Sequence, residues 1–145
     1  MPRSSDTPRG PHHPALGVAT LLESHYHHYL DYARLLLPPD QVHPAVCAAA
    51  AQAAARWQNV LAAPDATAAL WRLFRAALVA RACPQALAPV AHLTAGQQDL
   101  VLMRHALGWS DATITTVTGT DRCAIEAAAR SFARTATATD PSSKP

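Results

Sequence analysis

The sequence predicts an all-α protein of two small helical modules. An N-terminal three-helix module spans 15–83 and a C-terminal helix-turn-helix module spans 93–135, joined by a linker at 84–92. Three observations predict this arrangement. Large apolar residues recur at three- and four-residue steps, alanine supplies much of the 50% hydrophobic content, and proline or glycine stands at the expected breaks.

In the first element, between Ala15 and Leu37, Val18, Leu22, Tyr26, Tyr29, Ala33 and Leu36 form one continuous helical stripe. Pro38-Pro39-Asp40 stops it. Pro44 suits the first turn of a second helix that runs through the alanine-rich stretch to Trp57, Val60 and Leu61 and is closed by Pro64. A third helix, Ala66–Ala82, places Leu70, Leu73, Phe74, Ala77 and Leu78 on one side and Arg72, Arg75 and Arg81 elsewhere. Three antiparallel helices can then share a core, with Trp57, Trp71 and Phe74 as its large members. Pro84 and Pro89 give 84–92 the composition of a partly ordered linker.

Beyond the linker, Thr94-Ala95-Gly96-Gln97 has the form of a capping box opening a fourth helix with Leu100, Val101, Met103 and Leu107. Gly108 suits the left-handed position past its end, and Ser110 can cap a short fifth helix. Gly119 then makes a turn, and Thr120 or Asp121 caps a sixth helix ending near Arg134. Ile114, Val117, Ile125 and Ala128 would pack these last two helices together. The β-branched run Thr113–Thr118 offers a strand as the rival, but the Ile114-to-Val117 spacing of three suits a helix. The ends, 1–14 with four prolines and the Thr/Ser/Pro-rich 136–145, are expected as disordered tails.

Composition narrows function. A net charge of +2 and a pI near 8.6 are compatible with nucleic-acid contact but fall short of a strong nonspecific binder. Absence of a signal-like or membrane-spanning apolar run predicts a cytoplasmic chain with no membrane partner. Cys47, Cys83 and Cys123 are odd in number and unpaired in spacing, which fits a reducing compartment and argues against a structural zinc site. The pairs His25/His28 and His43/Cys47 have helical spacing but no further ligand, so neither metal nor cofactor is expected. No nucleophile motif, phosphate-cradling glycine loop or acidic pair is present, which argues against an enzyme.

A helix-turn-helix can lay its second helix in a DNA major groove. Arg122, Arg130, Ser131 and Arg134 are the candidate contacts there, with Arg72, Arg75 and Arg81 in the first module. The second helix nevertheless opens Asp121-Arg122-Cys123-Ala124, which is poor in base-reading side chains. From Leu93 to Arg134, four acids (Asp99, Asp111, Asp121, Glu126) balance four arginines (Arg104, Arg122, Arg130, Arg134). Promoter DNA would therefore be held only weakly by this module alone.

The run LTAGQQDLVLMRHALGWSDATITTVTGTDRCAIEAAARSFAR resembles region 4 of extracytoplasmic-function (ECF) sigma factors in its Leu93 start, Gly108-Trp109-Ser110 turn and late Arg130. More loosely, LLESHYHHYLDYARLLL, Arg56-Trp57 and ALWRLFRAALVAR resemble region 2 of that family. The resemblance implies a divergent sigma-like regulator that binds core RNA polymerase and directs it to promoters. It assigns Arg72, Arg75 and Arg81 to the basic region 2 helix, and Arg122, Arg130 and Arg134 to the recognition helix. Where the family carries an acidic residue followed by Gln to engage the polymerase clamp, this chain has His43-Pro44-Ala45-Val46-Cys47. Thr115, Thr118 and Thr120 replace the family's alanines and larger aliphatics. These departures support the alternative of a degenerate sigma-like adaptor that contacts another regulatory protein without reading promoters.

Overall fold

The computed structural model describes residues 14–138, with side chains described over 19–134. The tails expected at 1–14 and 136–145 lie outside the described residues except at Pro14, which begins the first helix, and at 136–138, which continue the last. The side chain of Val18 also lies outside them. The described residues contain helices and turns and no strand, as the sequence predicts.

Helix α1 spans Pro14–Leu36 and buries Tyr29, Tyr32, Ala33 and Leu36. Helix α2, Pro39–Ala55, begins at Pro39 rather than Pro44. Pro39 takes the opening position, where no backbone N–H is needed, and its fixed φ suits the helix. Pro44 lies inside α2 and forfeits one bond, to the carbonyl of exposed Asp40. The expected single second helix also breaks at Arg56, so that Trp57–Ala62 forms a separate short α3. Helix α4, Ala66–Arg81, is capped by Asp65, whose Oδ1 accepts from Ala68 N–H at 3.1 Å.

The stretch expected as a loose linker folds into a four-residue helix α5, Pro84–Leu87, and a 3-10 turn at Ala88–Val90. The Thr94 capping box forms as expected at the start of α6, Ala95–Val101. Past α6 the backbone widens into a π-type turn over Leu102–Ala106. Gly108, with φ +68°, lets the Trp109 N–H reach back to the Met103 carbonyl at 2.9 Å.

Helix α7, Asp111–Thr118, resolves the helix-or-strand alternative for the threonine-rich run. Ser110 caps it by accepting from Thr113 N–H at 3.2 Å. The Thr116 and Thr118 hydroxyls donate to the carbonyls of Ala112 and Ile114 at 2.9 and 2.7 Å, so these polar side chains are satisfied within the helix. Arg104 grips the first residue of α7 through a bidentate pair to Asp111, at 2.9 and 2.8 Å. Helix α8 runs from Arg122 to Ala138, past the expected end near Arg134.

One buried cluster joins all of this. It extends from Tyr29 through Trp57, Trp71 and Phe74 to Leu100, Met103, Ile114, Val117 and Ile125, crossing 84–92 without interruption. Tyr29 stacks on Phe74 at 4.2 Å and on Trp71 at 5.8 Å, and Tyr32 meets Trp71 edge-on at 4.8 Å. The N-terminal helices and the helix-turn-helix therefore share a core.

Candidate nucleic-acid interface

The corner between α7 and α8 is built on Gly119, at φ +70°. A Cβ there would stand 2.8 Å from the Ala68 Cβ and 2.9 Å from the Ala68 nitrogen. Only glycine fits, because the corner lies directly on the first turn of α4 as well as needing a left-handed backbone. Asp121 starts α8 by accepting from Ala124 N–H at 2.7 Å, which selects it over Thr120 as the cap.

On α8, Ile125 is buried, and Ala128 and Ala129 pack partly against the core. Arg122, Glu126, Arg130 and Arg134 recur every four residues and are all exposed, forming a slowly turning stripe on the outer face. Its charges are mixed. Arg122 Nε lies 3.4 Å from Glu126 Oε1, with both side chains largely solvated, so this pair contributes little to stability. Ser131 does not join the stripe: its hydroxyl accepts from Gln97 Nε2 at 2.9 Å and pins α8 to α6. Arg72 and Arg81 are exposed on α4.

Arg75 has a different position. It lies at a buried polar junction where α1 and α4 meet α6. The Asp99 carboxylate accepts from the Tyr32 hydroxyl at 2.6 Å, from Trp71 Nε1 at 3.1 Å and from Arg75 Nε at 2.7 Å. Arg75 Nη2 also donates to Gln98 Oε1 at 2.7 Å, and Gln98 Nε2 donates to the carbonyls of Val90 and Leu93. The Arg75 and Asp99 side chains are only 16% and 12% exposed, so this arginine faces inward and links the two halves instead of presenting its charge to solvent. Burial pushes the Tyr32 hydroxyl pKa up, and the Asp99 charge and hydrogen bond push it further. Burial opposes the Arg75 charge, but Asp99 and Tyr32 hold its pKa above the ordinary value.

Sequence reasoning missed this junction, although a signal was present. Asp99 falls beside Leu100 and four residues before Met103, and Arg75 falls four after Trp71. Each charge thus lies on the apolar side of its own helix, where a buried partner is required.

The histidine cluster is also more interior than its spacing suggested. His25 is 6% exposed and its Nδ1 has no hydrogen-bond partner, while His28 meets Trp109 edge-on at 4.9 Å. Burial, and then the neighbouring His28, lower the His25 pKa. Tyr26 Oη and His43 Nδ1 share a hydrogen bond at 3.1 Å. Among the described residues no three His, Cys, Asp or Glu side chains converge on a metal-sized site, and Cys47, Cys83 and Cys123 are free and exposed. No described helix is long and apolar enough to cross a membrane.

Comparisons with known protein families, with curated proteins and with solved structures give no match for this chain.

Proposed function

We propose that the chain is a cytoplasmic, non-enzymatic, sigma-factor-like transcription regulator that touches promoter DNA through α8 and works with core RNA polymerase. The observation that carries this reading is the α7–Gly119–α8 corner, which leaves the 17-residue second helix with Arg122, Arg130 and Arg134 on its exposed face. A helix so placed can lie along a major groove while its arginines meet phosphates. Arg72 and Arg81 on α4 would add contacts from the N-terminal half. The resemblance to sigma regions 2 and 4 supplies polymerase as the partner. Copurification with core RNA polymerase and promoter-dependent transcripts in a reconstituted reaction test it; absence of both overturns it.

A second reading, an adaptor that regulates by contacting another regulatory protein, is favoured by a specific observation. Arg75 is consumed by Asp99 and Arg122 is countered by Glu126, which thins the cationic surface available to DNA. A pull-down that recovers a regulatory protein, without polymerase-dependent transcription, would select this reading.

A further inference from the structure

Between α4 and the helix-turn-helix lies a cleft of about 510 Å³, within the range of roughly 300–1,000 Å³ typical of small-molecule sites. Its floor includes Leu100, Met103 and Ile125, and its walls include the small residues Ala68, Ala124 and Ala128. Two of its charged groups, Arg75 and Asp99, neutralise each other at the buried junction. A third, Arg72, is exposed and makes no hydrogen bond or ion pair among the described residues. The cleft thus combines an apolar floor with one uncommitted guanidinium fork, the donor geometry that suits a carboxylate.

From this we propose that the cleft binds an amphipathic monoanion, a medium-chain aliphatic carboxylate, with its tail on the apolar floor and its head on Arg72. Such a ligand touches α4 and α8 together, so binding stabilises their docked arrangement and raises the melting temperature by mass action. This inference is independent of whether α8 meets DNA, because its readout is binding to the free protein.

Decanoate is the probe, with 1-decanol as its neutral counterpart, each titrated into the full chain by calorimetry. The expected result is saturable one-to-one decanoate binding and decanol at least about ten-fold weaker, consistent with loss of a charge-assisted pair. Arg72→Gln weakens decanoate about ten-fold and leaves decanol unchanged, whereas Arg81→Gln changes neither. Ala124→Leu fills the cleft from an exposed helix position and removes binding of both. Ala128→Leu gives the same test from one turn along should the first variant lose its helical circular-dichroism signal. No saturable binding, equal affinity for decanoate and decanol, or unaltered binding in a folded cleft-filling variant would overturn the proposal.

Discussion

Replacing Asp99 by Asn tests the junction that ties the helix-turn-helix to the rest of the protein. The change keeps the side-chain shape but removes the charge facing Arg75, which approaches Asp99 at 2.7 Å. It also turns one acceptor oxygen into a donor. With the remaining oxygen toward Tyr32 and Arg75, the new NH2 faces the Trp71 N–H, and both donors lose a partner. Breaking a buried ion pair by removing one partner costs about 3–5 kcal/mol. Because the two side chains retain 16% and 12% exposure, the lower end applies, about 3 kcal/mol. That corresponds to a fall of roughly 10 °C in melting temperature for a domain of this size. Urea unfolding followed by circular dichroism measures the loss, with an unchanged slope against denaturant. In a double-mutant cycle, Arg75→Met should cost about 1–2 kcal/mol less in the Asp99→Asn background than alone. A loss below about 1 kcal/mol, or full additivity, would show that the junction does not hold the halves together.

Three further outcomes follow from local geometry and charge. Gly119→Ala should destabilise by about 2–4 kcal/mol, combining left-handed strain with the contact against Ala68 that its Cβ creates. Gly108→Ala, at the same backbone conformation with nothing within 4 Å, should cost only about 1–2 kcal/mol in the same denaturation assay, and equal costs would refute the close packing of the corner on α4. Burial, and then His28, lower the His25 pKa in the folded chain, so the unfolded chain takes up protons first as pH falls through 6.5. Stability is therefore full above that pH and declines below it; His25→Leu should flatten the decline between about pH 7.5 and 5.5 in urea titrations, and an unchanged slope would contradict the assignment.

Much of this fold was legible because it is written in local signals. The stripe on α1, the Ser110 cap, the Thr94 capping box and the glycines at 108 and 119 each act within a few residues, and turn chemistry of that kind reads directly from sequence. The beginning of α2 was misplaced because two prolines, Pro39 and Pro44, could each open a helix, and the helix continues through Pro44 where the one carbonyl left unpaired, that of Asp40, is exposed. The π-type turn and the break at Arg56 have no distinct sequence mark. The candidate surface was legible only in part. The outward stripe of Arg122, Arg130 and Arg134 follows from helical spacing, whereas the inward fate of Arg75 and the engagement of Ser131 by Gln97 depend on tertiary contacts between segments distant in sequence.

The proposed contact between the outer face of α8 and nucleic-acid phosphates is tested by the salt dependence of binding to mixed-sequence duplex DNA. Fluorescence anisotropy compares the wild type with Arg130→Ala/Arg134→Ala from low to moderate salt. The expected result is weaker binding by the variant and a salt slope smaller by about one for each arginine removed. Superimposable curves, or no wild-type binding even at low salt, would contradict it and leave protein contacts as the way this helix-turn-helix acts.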